Sequence, residues 1–147
     1  MEKEHLEYKE VGFKYTTDSR LVTPAELAAF YEIPGIKEDM FVSDDAGKAI
    51  GFKGKIVPAA FTIGLAFSLI GEKGLAEGGI FLETNAKFTA VVYPNDRLRV
   101  EGELLSKRVT SKGDRVVVIY SWLVKNQDDV VVVQGENTEL LPNPEKT

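Results

Sequence analysis

Apolar residues fall into two regimes along this chain. From Pro58 to Ile70 nearly every position is apolar, with Thr62 and Ser68 the only polar side chains. A helix that is apolar on every side is predicted to be buried on every side, and Gly71 is placed to end it. After Gly78 the pattern becomes strand-like. The runs Ile80 to Tyr93, Leu98 to Ser111, Arg115 to Lys125 and Val130 to Leu141 are rich in β-formers. Short polar turns separate them at Pro94-Asn95-Asp96, Lys112-Gly113-Asp114 and Asn126-Gln127-Asp128-Asp129. Long strands joined this way predict an antiparallel meander.

The N-terminal part is less regular. Residues 1–12 form a charged leader without a clear period, either frayed or leading into the first strand. Lys14 to Val22 is a predicted short strand carrying Tyr15, Leu21 and Val22. Thr23-Pro24-Ala25-Glu26 is a helix start, with Thr23 as N-cap, Pro24 at the first helical position and Glu26 completing a capping box. Leu27, Phe30 and Tyr31 then share one helical face, and Pro34-Gly35 ends the element. Ile36 to Gly54 reads as an irregular connection with a short helical turn at 44–49. Connections of this length are often functional. Residues 142–147 read as a polar tail.

An α+β architecture follows. One sheet buries only one side of the helix at about 58–70, so either the sheet curls around the helix or a second copy covers the rest. A long antiparallel sheet wrapped around a buried helix is a hotdog fold, which usually dimerises. No internal repeat or boundary divides the 147 residues, and one domain is expected.

Composition narrows the chemistry. Hydrophobic residues at 44% and charged residues at 28% suit a folded domain rather than a disordered one. With no cysteine and a single histidine, His5, the chain has no disulfide framework, thiolate metal site or cysteine nucleophile, and no His-rich metal site. A net charge of -5 without a Lys/Arg run argues against nucleic acid as a partner. The start MEKEHLEYKE lacks the basic and apolar parts of a signal peptide. The longest uncharged stretch, Ile56 to Gly71, is too short to span a bilayer. A cytoplasmic protein is expected.

Three stretches carry a family resemblance. Thr23 to Phe30 looks like the opening helix of the MaoC-like dehydratases, a family that includes (R)-specific enoyl-CoA hydratases. Gly51-Phe52-Lys53-Gly54-Lys55-Ile56-Val57-Pro58-Ala59 is similar to that family's G-F-x-G-R-I-A-H-G approach to the central helix. Phe88 to Leu98, ending Tyr93-Pro94-Asn95-Asp96-Arg97-Leu98, resembles its strand-and-turn segment R-F-x-x-P-V-x-P-G-D-x-L. The resemblance implies a hotdog fold and a thioester ligand, either of coenzyme A or of acyl carrier protein, with no other cofactor. It also implies an Asp/His pair, in D-x-N-P-x-H, that activates water for addition to an enoyl thioester. Counting from either side places the Asp position at Ile36 and the His position at Phe41. Neither side chain moves a proton, and Pro58 replaces the histidine of the approach segment. The resemblance therefore implies a degenerate hydratase site that still binds acyl thioester, with Ile36, Phe41, Val57, Pro58, Ala59, Ala60 and Arg97 around the ligand. Backbone N–H groups at Ala59 and Ala60 would polarise the thioester carbonyl.

Other readings stay open. Glu38 and Asp39 lie between the two lost positions, and Glu83 shares a strand face with Asn85; each carboxylate is a candidate relocated base or a solvated surface charge. Activity through one of them would make the chain a lyase or a thioesterase. Arg97, Arg99, Lys107 and Arg108 are candidates for coenzyme A phosphates, or else make cross-strand pairs with Glu101 and Glu103. Tyr120, Trp122 and Val124 alternate on one face and read as core or dimer packing. Gly71-x-x-Gly74 and Gly78-Gly79 are turn glycines, not a dinucleotide fingerprint. A non-catalytic partner of an active homologue, a homodimer and an occluded structural or regulatory module are all compatible with the residues.

Overall fold

A computed structural model describes residues 3–146. Six strands form one sheet: β1 (Lys14–Thr16), β2 (Arg20–Leu21), β3 (Ile80–Phe88), β4 (Arg97–Val109), β5 (Arg115–Lys125) and β6 (Val131–Pro142). The strand order is β1-β4-β5-β6-β3, with β2 also paired to β4. All pairings are antiparallel. The expected meander holds for β4 through β6. β3 departs from it, pairing not with β4 but with β6, from Ile80 opposite Leu140 to Phe88 opposite Val133. It also stops at Phe88, short of the expected Tyr93. The next residues serve another element, since Val57 N–H donates to Val92 O at 2.8 Å.

The single strand expected over Lys14 to Val22 is split into β1 and β2. Buried Thr17 explains the break, because its hydroxyl oxygen accepts from Val100 N–H at 2.9 Å in place of a ladder carbonyl. The charged leader is not frayed where it is described. A 3₁₀ turn at Leu6–Tyr8 buries Leu6 completely, and Leu6 N–H donates to Leu75 O at 2.9 Å. Lys107 Nζ donates to the carbonyls of Glu7 and Lys9, fastening the leader to β4. The polar tail begins inside β6, and Asn143 N–H donates to Asp114 O at 3.1 Å.

The helices are α1 (Pro24–Glu32), α2 (Asp39–Val42), α3 (Asp44–Ala49) and α4 (Ala59–Lys73). Thr23 caps α1 as expected, its hydroxyl accepting from Glu26 N–H at 3.1 Å. The reciprocal half of the capping box is replaced by a Glu26–Arg20 ion pair at 3.0 Å. α3 is the expected turn at 44–49, whereas α2 was not legible in the pattern. α4 runs past Gly71, and Gly74, at φ +75°, ends it in the left-handed region that glycine adopts without strain.

Leu65, Ala66, Leu69 and Ile70 of α4 pack into one core with Val100, Tyr120, Trp122 and Val124 of the sheet. The expectation of burial on every side is corrected. Ala60, Gly64, Ser68 and Gly71, spaced along one face, are exposed in the single chain. These positions carry little or no apolar side chain, and the sheet curls over the opposite face. Phe30 of α1 meets Phe61 edge-on at 5.4 Å and covers one flank. Among the described residues, no helix is long and apolar enough to cross a membrane.

Candidate functional site

A hollow of about 220 Å³ lies at the N-terminus of α4. Met40 and Phe41 of α2, Val57 and Ala59 at the helix start, Phe88 of β3, Val92 and Val133 are among its walls. Thr62, 2% exposed, is the one hydroxyl-bearing side chain in the lining among the described residues. Local contacts hold this geometry. Ile56 N–H donates to Met40 O at 3.0 Å, tying the helix approach to α2. Tyr31 donates to Phe41 O at 3.3 Å, tying α2 to α1, and burial pushes the Tyr31 hydroxyl pKa up.

Glycines shape the approach. Gly54 leaves room for Asp44, whose Oδ1 would lie 2.7 Å from a Cβ at that position and accepts from Lys55 N–H. The segment then enters α4 at Pro58. Phe61 and Thr62 N–H groups donate to Pro58 O. No backbone carbonyl among the described residues accepts from Ala59 or Ala60 N–H. Free donors at a helix N-terminus carry positive potential.

The hollow brings together Phe41, Val57 and Ala59 of the residues expected around a ligand. It does not include Ile36, which is half-buried, Pro58, which is buried, or Ala60, which lies on the open face of α4. Arg97 is exposed on β4 opposite Leu21, outside the lining. Glu38 and Asp39 are exposed at the start of α2, and Glu83 is exposed on β3. None of the three lines the hollow. Thr84 faces Asn137 beneath α4, so strand alternation turns Glu83 and Asn85 to the other face.

The basic candidates are engaged elsewhere or exposed. Arg99 pairs with Asp129 and, within its own strand, with Glu101; the cross-strand partner of Glu101 is Lys125, at 2.6 Å, and not one of the four basic candidates. Lys107 holds the leader, and Arg108 is exposed. Met40 and Val133 carry no signal in the sequence, and Ile56, Phe88 and Val92 stand in the resembling stretches without a site role, because only tertiary packing assembles them. Thr62 had a signal, as one of two polar side chains on an apolar helix.

A second polar feature lies inside the sheet. Trp122 and Tyr120 lie in the core, one of the two packings their alternation allowed, and Trp122 meets Phe67 of α4 edge-on at 5.3 Å. Trp122 Nε1 donates to Asn137 Oδ1 at 2.9 Å, and Thr84 donates to the same oxygen at 2.7 Å. Asn137 Nδ2 donates to the Tyr120 hydroxyl at 3.1 Å, and that hydroxyl donates to the Glu139 carboxylate. Burial pushes the pKa of Glu139 up, partly offset by the Tyr120 hydrogen bond, and burial also pushes Tyr120 up. Among the described residues, no cluster of metal-ligating side chains is present.

Residues 8–126 match the model of a family described as MaoC like domain. No curated protein matches the chain. Solved structures similar to it include a MaoC-like dehydratase from Rhodospirillum rubrum, with a TM-score of 0.83 at 22% identity, over 95% of this chain and 97% of that one. An (R)-hydratase from A. caviae, involved in PHA biosynthesis, superposes with a TM-score of 0.78 at 23% identity, over 92% and 98% of the two chains. The ChsH1-ChsH2 complex from Mycobacterium tuberculosis contains a chain similar at a TM-score of 0.72 and 15% identity, over 90% and 98%. At these identities the likeness shows the hotdog fold.

Proposed function

Since the chain belongs to the MaoC-like domain family, we propose that it binds an acyl thioester, of coenzyme A or of acyl carrier protein, at the N-terminus of α4 without the family's usual hydration chemistry. The observation that carries this reading is the make-up of the hollow. Its walls are apolar; among the described residues Thr62 is the one hydroxyl-bearing side chain in the lining, and no carboxylate or imidazole lines it. An acyl chain fits such walls. The free N–H groups of Ala59 and Ala60 suit a thioester carbonyl.

Addition of water needs a group that takes and returns a proton. The resemblance puts Ile36 and Phe41 at the positions of that pair, and the relocated-base candidates Glu38, Asp39 and Glu83 lie outside the lining. A hollow that reaches Ala59 also favours ligand binding over an occluded module.

The partner in this reading is a second hotdog subunit, identical or related. β3 pairs on one side only, with β6, and presents Phe81 and Leu82 at 45% and 53% exposure. An exposed apolar edge strand invites pairing, and the M. tuberculosis relative is described as a complex of two different chains.

The test is incubation with a panel of enoyl-CoA and acyl-CoA thioesters, with products followed by mass spectrometry and binding by calorimetry. Saturable binding without hydroxyacyl-CoA or free CoA is expected. Turnover would overturn the non-catalytic part of the proposal, and absence of binding would overturn the whole.

A further inference from the structure

Glu139 sits on β6 at 7% exposure, and no ion pair reaches it among the described residues. A carboxylate taken out of water without a counter-charge is costly. The groups around it do not remove that cost. The Tyr120 hydroxyl accepts from Asn137 and spends its proton on Oε2 of Glu139, and Asn137 is in turn held by Trp122 and Thr84. The relay thus ends at Glu139 with a single hydrogen bond, and the other carboxyl oxygen remains without a partner among the described residues.

The same carboxylate lines a cavity of about 300 Å³ at the C-terminal half of α4, away from the hollow at the helix start. Three aromatic rings, Phe67, Phe81 and Tyr120, form walls of this cavity, with Ile70 beside them. Glu77 also lines the cavity, and Lys3 pairs with it. The cavity therefore sets a carboxylate that no cation pairs with among the described residues against aromatic faces. Aromatic faces attract a cation, more strongly where water is excluded.

We propose that this cavity is a binding site for a small organic ammonium ion, with its charged head at Glu139 and its apolar body between Phe67, Ile70 and Phe81. The ligand supplies the counter-charge that the fold leaves out. No residue of the two cavities is shared, so the inference does not depend on a thioester at the helix start; it shares Phe81 with the β3 edge proposed above for a second subunit.

The experiment is calorimetric titration of the full chain at pH 8 with phenethylamine and with its neutral counterpart 2-phenylethanol. One-to-one saturable binding of the amine is expected, with the alcohol weaker by about tenfold or more. Glu139→Gln keeps the side-chain shape and an oxygen for the Tyr120 hydrogen bond. It is expected to weaken the amine by about tenfold or more and to leave the alcohol unchanged. Phe81→Ala is expected to weaken the amine by about two- to fivefold. The proposal fails if neither compound saturates, if amine and alcohol bind the wild type equally, or if Glu139→Gln binds the amine undiminished. The wild-type comparison and Phe81→Ala decide the matter even if Glu139→Gln does not fold.

Discussion

Trp122 donates its indole N–H to Asn137 Oδ1 at 2.9 Å, and both residues are fully buried. Asn137 thereby joins three strands, since its oxygen also accepts from Thr84 of β3 and its amide donates to Tyr120 of β5. Asn137→Ala leaves the indole N–H without a partner and the Tyr120 hydroxyl without its donor. Buried groups left unpaired cost about 1–3 kcal/mol each. A loss of about 2–4 kcal/mol in chemical denaturation is expected; a loss below about 1 kcal/mol would mean that water takes over the role of the amide.

Gly135 lies opposite Trp122 in the β5–β6 ladder. A Cβ there would fall 2.2 Å from Asn85 O and 2.7 Å from the indole ring. Neither backbone nor a fully buried ring moves aside cheaply. Gly135→Ala is expected to destabilise by the upper part of about 1–3 kcal/mol, read as a lower denaturation midpoint. An unchanged midpoint would disprove the close approach.

Glu139 imposes a pH dependence whose sign follows from its raised pKa. Between the ordinary carboxylate value and the raised native one, the native state holds more protons than the unfolded state. Stability from this group is thus fully present below the unfolded pKa and declines as pH rises through the folded pKa. Glu139→Gln removes this dependence. The variant is expected to gain stability relative to wild type as pH rises above the ordinary carboxylate value, in the absence of amines. Parallel stability curves for the two proteins over that range would contradict the assignment.

Phe41 walls the hollow at α2, and its truncation enlarges an apolar space. In the thioester reading, Phe41→Ala shifts preference toward longer acyl chains. Each additional buried methylene is worth about 0.8 kcal/mol, or about fourfold in affinity. Calorimetry across a series of acyl-CoA lengths measures the shift. A preference that stays the same would place the acyl chain elsewhere.

Thr23 carries the simplest expectation. Its hydroxyl caps α1 through Glu26 N–H, so Thr23→Ala is expected to cost about 1 kcal/mol. Thr23→Ser retains the hydroxyl and is expected to retain most of that stability, which separates the cap from methyl packing in the same denaturation assay.

Part of this is legible in the sequence. The capping residues of α1 announce themselves because a cap is a contact three residues long. Thr62 stood out as a hydroxyl in an apolar helix and proves to be the polar point of the hollow. Glu38, Asp39 and Glu83 drew attention as carboxylates near the right segments, yet their side chains are exposed. Proximity in sequence says nothing about which way a loop or an edge strand turns. Glu139 carries no signal for the converse reason. It sits beside Leu140 and Leu141, and that sequence does not say which of the neighbours faces inward.

The sequence alone determined the elements that local chemistry specifies: an apolar central helix, a capped first helix, and long strands ended by polar turns. Periodicity and turn residues act within a few positions, so they can be read from the chain itself. Tertiary structure decided the rest. Pairing with β6 placed β3 at a sheet edge away from its neighbour in sequence, and backbone hydrogen bonds docked the leader on α4 and β4. The β5–β6–β3 register turned Asn137 and Glu139 toward α4. A one-residue slip in that register would turn these side chains to the opposite face. Register depends on the fit of whole strands against a core, which no short stretch of sequence contains.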